Sequence, residues 1–187
     1  MSLGSISGVW FPAIRTGTGT DRFTETLVEG LNRNGIRAQI DWLPHHAEYF
    51  PWAVSVPKRP EWANVVHVNS WLPQKFIPKD VPFVCTVHSI VHSPDLRSYK
   101  SFMQAMYHRH WVRRCEEFSV IRAAAVTAVS RHVGDQVSID FGREAEVVLN
   151  WVDAEQFFPP PTKAPNKRFR VLYVGAARIL KGVDLLP

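Results

Sequence analysis

Hydrophobic positions along the chain come in short unbroken runs, and several are separated by stretches with helical spacing. The first run, Ile6 to Phe11, predicts a strand leading into the loop Pro12-Ala-Ile-Arg-Thr-Gly-Thr-Gly-Thr20. A helix follows, because Phe23, Leu27 and Leu31 recur at i, i+4 and i+8. Thr20 or Asp21 can cap it and Glu25 sits in its first turn. Asn34-Gly35 ends it, since glycine tolerates the left-handed conformation of a helix terminus. A second strand over Ile36 to Leu43 completes a strand–loop–helix–strand unit of the parallel kind.

From Pro44 to Pro60 proline and aromatic residues mix without a period, which predicts irregular chain. Two runs come next, Val65 to Val68 and Pro82 to Val87. Both are short, β-branched and non-alternating, as strands covered on both faces are. Ser98 to Ala123 is the longest helical stretch, with Phe102, Ala105, Met106, Val112, Cys115, Phe118 and Ile121 roughly on one stripe. Ala124 to Val129 predicts another buried strand, ended by Ser130. A short helix over Arg131 to Ile139 and a last run from Glu146 to Asn150 close the series. Pro159-Pro-Pro-Thr-Lys-Ala-Pro165 is a stiff linker, because proline fixes φ. Beyond it a strand, Val171 to Val174, meets Gly175, a loop with Arg178 and Lys181, and a helix start at Gly182-Val-Asp-Leu-Leu186. One strand and one helical turn bury too little to stand alone. These residues are expected to open a further domain, or to borrow a surface from the body of the chain or from a second copy.

Strands alternating with helices at this spacing predict an α/β fold with a doubly wound, Rossmann-like parallel sheet. Ligands of such sheets bind beyond the carboxyl ends of the strands. That rule picks out Arg15 to Thr20, Asn69-Ser70 and His88 to His92.

Composition adds boundaries. Apolar residues make up 45% and charged residues 21% of the chain, the balance of an ordinary globular protein. Cys85 and Cys115 are too few and too far apart for a disulfide framework or a clustered metal site, and read as buried thiols of a reducing compartment. The opening residues lack a secretory signal and no apolar run approaches a membrane span, so a cytoplasmic location is expected. Arg109, Arg113 and Arg114 contribute to the net charge of +5. Glu116 and Glu117 follow at once, so this stretch reads as a solvated helix face. The sharper alternative is peripheral contact with anionic lipid, at the inner face of the membrane, or with an acidic substrate. Nucleic acid is disfavoured, because the aromatic residues lie in core segments and do not alternate with basic ones.

Among candidate sites, Gly17, Thr18 and Gly19 lie between the first strand and a helix N-terminus, where amides and the helix dipole favour phosphate. Asp41 stands near the place of a dinucleotide fold's ribose-binding acid, but Arg22 occupies the third glycine of the G-x-G-x-x-G fingerprint. A permissive turn and a ligand cradle both fit that loop. His88 ends a strand and should stand at the mouth of the sheet, as a structural or a substrate-facing histidine. A neutral imidazole there can hydrogen-bond a sugar hydroxyl. His88 and His92 lack the further ligands of a metal site. Neither a nucleophile elbow nor a Walker loop is present.

Four segments together resemble the family-4 glycosyltransferases. Thr86-Val-His88 matches a "Thr-Val-His" strand end, and Ala125-Val-Thr-Ala-Val-Ser130 is similar to the family's strand ending in Val-Ser. Asn150-Trp-Val-Asp153, with Phe157 and Pro159, resembles an "Asn-Gly-Val-Asp" turn before an interdomain linker. Val171-Leu-Tyr-Val-Gly175 with Lys181-Gly-Val-Asp-Leu-Leu186 resembles the entry into a second domain.

The resemblance implies a retaining enzyme of GT-B architecture, two facing Rossmann-like domains, of which this chain holds the N-terminal half. Residues 1–158 would form the acceptor-side domain, 159–168 the linker, and 169–187 the start of the donor-binding domain. The implied reaction transfers a sugar from a nucleotide-diphosphate sugar to a sugar or lipid-linked acceptor, with no metal or other cofactor. His88 would sit by the transferred sugar as the catalytic-site residue. The diphosphate would meet Gly17, Thr18, Gly19 and the cations Lys181 and Arg178, while Ala176 holds the position of the family's phosphate arginine. With the family's paired glutamates lying in the second domain, this stretch alone is expected to show little or no transferase activity. Two other readings compete: a nicotinamide-dependent dehydrogenase domain, and a non-enzymatic module that homodimerises through its closing strand.

Overall fold

The apolar runs pair into one sheet. In the computed structural model, which describes residues 6–92, 94–154, 157, 158, 172–175 and 183, they form β1 (Val9–Ile14), β2 (Ala38–Leu43), β3 (Val65–Asn69), β4 (Phe83–Val87), β5 (Ala125–Ala128) and β6 (Glu146–Val147). Every neighbouring pair is parallel, in the order β2-β1-β3-β4-β5-β6. The helices are α1 (Gly19–Arg33), α2 (Phe102–Tyr107), α3 (Arg113–Arg122) and α4 (Arg131–Phe141). From β1 the chain steps to one edge, and from β3 onward it steps toward the other. Right-handed crossovers therefore place α1 on one face and α3 and α4 on the opposite one. This is the doubly wound α/β arrangement expected from the sequence. Trp10, Phe11, Val66, Val68, Cys85 and Val87 are fully buried at its centre.

Several boundaries differ from the sequence reading, each for a physical reason. β1 runs through Pro12 instead of stopping before it. Val9 and Arg15 donate toward β2, so the even positions face β3, and pairing with β3 stops after Trp10. The missing N–H of Pro12 thus falls on the β3 side, where the ladder ends, and leaves the pairing with β2 intact. α1 starts at Gly19 with Thr18 as its cap residue, two or three residues earlier than Thr20 or Asp21 predicts. The stretch from Pro44 to Pro60 contains two 3₁₀ turns, His45–Glu48 and Pro51–Ala53.

The expected single helix from Ser98 to Ala123 is divided. Ser101 caps α2 by accepting the Gln104 amide at 3.3 Å, and a π-helical turn over His108–Val112 joins α2 to α3. One inserted residue rotates everything beyond it by about 100°. The apolar stripe is cut accordingly: Val112 and Cys115 are buried while Phe102, Met106 and Ile121 face solvent. The run from Glu146 to Asn150 forms strand only at its first two residues. Of the expected strand over 171–174, the described residues 172–174 are not in a strand, and Leu172 and Val174 are exposed. The linker 159–168 lies outside the described residues.

Candidate functional site

The strand order reverses direction between β1 and β3, and the loops leaving these two strands must diverge there. A cleft of about 770 Å³ opens beside this point. Gly17, Thr18 and Gly19 bound it from the loop after β1, His88 from the end of β4, and Asn150 and Trp151 from beyond β6.

His88 is fixed on two sides. Its Nε2 lies 3.1 Å from Oδ1 of Asn69, the last residue of β3. The ring of Phe23 from α1 meets it edge-on at 4.6 Å, and Trp151 packs on Phe23 at 5.1 Å. Burial lowers the His88 pKa to about 4, so the imidazole is neutral near pH 7. With the Asn69 oxygen facing Nε2, that nitrogen carries the proton and Nδ1 is left as an acceptor. Such a ring can receive a hydroxyl hydrogen bond from a ligand. Behind it, His67 Nε2 contacts Thr86 Oγ1 at 2.9 Å, which in turn meets Thr127 Oγ1 at 2.7 Å. Burial, aided by His88, holds His67 at about 3.

The glycine loop is held from below. Gly17 has φ +71°, a conformation that favours glycine. The carboxylate of buried Asp21 accepts the amide of Thr16 at 3.0 and 3.1 Å, the Thr16 hydroxyl at 2.9 Å and the Gly17 amide at 2.7 Å. Those donors are occupied. The amides of Gly19 and Thr20, in the first turn of α1, have no acceptor further back in the helix. Arg22 also lines the cleft, with Glu25 at 3.8 Å as a loose partner.

Arg178 and Lys181 are outside the described residues. Asp41 sits within β2, where its carboxylate accepts the Trp10 indole at 2.7 Å and the Gln39 amide at 2.9 Å. Each of its oxygens thus already accepts one hydrogen bond from β1 or β2. His92 turns away from His88: its Nδ1 donates to Glu116 Oε2 at 2.8 Å and its Nε2 lies 3.5 Å from Asp140 Oδ2. No group of three metal-ligating side chains occurs among the described residues. Cys85 and Cys115 are free and buried, and burial pushes the Cys115 thiol up to about 12.

The sequence from residue 40 to residue 156 matches Glycosyltransferase Family 4, more than half of the chain. The chain belongs to this family. Among curated proteins none matches it. Its membership makes it a glycosyltransferase-type domain, and three of the four segments that suggested the likeness lie inside the matched region. All three reach the cleft, through His88, Val129, and Asn150 with Trp151.

Two features of this family-4 domain escaped the sequence reading. Arg22 was visible only as a failed glycine, yet it is a cation at the cleft. Glu116, expected on a solvated face, is fully buried, taking Trp71 Nε1 at 2.8 Å as well as His92. Its position three residues after Arg113 carried no such signal, because the π turn sets which side faces inward. Among the described residues no helix is long and apolar enough to cross a membrane.

Proposed function

We propose that the chain is the acceptor-side half of a retaining, GT-B glycosyltransferase using a nucleotide-diphosphate sugar. The observation that carries this reading is the convergence, in one cleft, of a neutral His88, an α1 N-terminus and Arg22. The transferred sugar sits against His88, where Nδ1 accepts one of its hydroxyl groups. The diphosphate lies toward Gly19 and Thr20, whose amides and helix dipole stabilise the charge that grows as the glycosidic bond breaks. Arg22 adds a cation on the same side. The acceptor oxygen bonds to the anomeric carbon while the nucleotide diphosphate departs with the bonding electron pair and takes up the acceptor's hydroxyl proton on a phosphate oxygen. Residues 169–187 lead into the donor-binding domain, where Lys181 and Arg178 extend the phosphate site. The reading requires no metal and no cofactor besides the donor.

The family match and Arg22, which stands where a dinucleotide fingerprint requires glycine, favour this reading over the dehydrogenase alternative. The test is an NMR titration of the protein, following the His88 ring. Nucleotide-diphosphate sugars should shift its resonances. A shift with NAD and none with any nucleotide sugar overturns the proposal.

A further inference from the structure

A second cavity, of about 500 Å³, lies beyond the loop that follows β4. Its cationic wall consists of Arg97, Lys100, Arg109 and Arg113, and its apolar wall of Phe102 and Met106. Phe102, Met106, Arg109 and Arg113 lie along one side of the segment from α2 to α3, apolar at its start and basic at its end. Among the described residues none of the four cations has an ion-pair partner. Lys100 Nζ donates to the carbonyl of Val91, and the one deeply buried carboxylate nearby, Glu116, is already held by Trp71 and His92. His108 Nδ1, also at this wall, is buried with no hydrogen-bond partner. Phe102 is 80% exposed and Met106 44%. Unpaired guanidinium forks beside uncovered apolar side chains complement a compact oxyanion carried on an apolar group.

We infer that this cavity binds a phosphate monoester attached to an apolar chain, with the phosphate at Arg109 and Arg113 and the chain over Phe102 and Met106. His88 and His92 share one loop, and four residues of chain reach at most about 14 Å. The loop after β4 thus borders both cavities, through His88 at the cleft and His92 at this one. The bound molecule's role as acceptor rests on the proposed transfer reaction, whereas its binding does not.

Calorimetry on the 187-residue chain tests this, using octyl phosphate below its micelle concentration, inorganic phosphate and octyl glucoside. Octyl phosphate should bind one-to-one and at least about tenfold tighter than inorganic phosphate or octyl glucoside. The R109Q/R113Q variant should lose at least about tenfold for both anions. Phe102→Ser should lose the advantage of the octyl chain and keep inorganic phosphate. Both substitutions are at exposed positions, and thermal melts confirm folding. Phosphatidic acid vesicles that displace octyl phosphate, where phosphatidylcholine vesicles do not, identify a lipid headgroup as the natural source. Absence of displacement identifies a free phosphate ester, and either result supports the site. Octyl phosphate binding no tighter than octyl glucoside, or unchanged affinity in folded R109Q/R113Q, overturns it. A failure here with intact nucleotide-sugar binding leaves the transfer reading in place.

Discussion

Asn69 Oδ1 faces His88 Nε2 at 3.1 Å, and this contact between the ends of β3 and β4 decides which imidazole nitrogen is offered to the cleft. Asn69→Asp puts a carboxylate against the ring and favours its charged form. The His88 pKa should then rise from about 4 to about 6. Asn69→Leu, with no charge, should leave it low. An NMR pH titration reads both, and equal values in the two variants would sink the assignment.

His67 and His88 make stability depend on pH. Their pKa values in the fold, about 3 and about 4, lie below the ordinary 6.5. Between that value and the folded ones, the unfolded chain binds protons that the native chain does not. Stability is therefore full above the unfolded value and falls as the pH drops, by about 1.4 kcal/mol per pH unit for each histidine. Urea unfolding at pH 7 and pH 5 checks this. His67→Gln, which keeps a hydrogen-bonding group next to Thr86, should flatten the slope. A slope unchanged by His67→Gln removes that histidine from the explanation.

Glu116 accepts from Trp71 and His92 with no solvent contact. Glu116→Leu fills most of the volume but leaves two buried donors unpaired. It should destabilise the fold by about 3–5 kcal/mol. Glu116→Gln, which can still accept from one of them, should cost less. Chemical unfolding curves that place the two variants level would contradict this.

Much of the frame was legible in the sequence because parallel strands leave unbroken β-branched runs. Val65 to Val68 and Pro82 to Val87 needed no other signal, and the loops that they feed pointed to the cleft. The rest was hidden by local geometry that residue patterns do not record. Pro12 reads as a strand terminator until one knows that its N–H side has no partner. The π turn at His108–Val112 leaves no mark in periodicity, yet it decides that Glu116 is buried and Phe102 is not. Arg22 was scored against a glycine template, so its charge was overlooked.

Two glycines separate steric from backbone requirements. A Cβ on Gly8 would lie 2.4 Å from Trp62 Cε3 and 2.9 Å from the Arg37 carbonyl oxygen. Gly8→Ala should cost about 1–3 kcal/mol through forced displacement at the start of the sheet. Gly17 has open space around it but φ +71°, so Gly17→Ala should cost about 1–2 kcal/mol through the backbone alone. Combining Gly8→Ala with Trp62→Leu should recover part of the first loss, whereas no space-making change should rescue the second. Thermal melts of the three variants provide the comparison.

The most direct test of the account is the rate of glycosyl transfer by the chain joined to a donor-binding domain, with His88 intact and with His88→Ala. A sugar held against the His88 ring predicts a kcat lower by about 100-fold or more, with the donor KM changed by only a few-fold. Equal kcat in folded His88→Ala and wild type would contradict the placement of sugar transfer in this cleft.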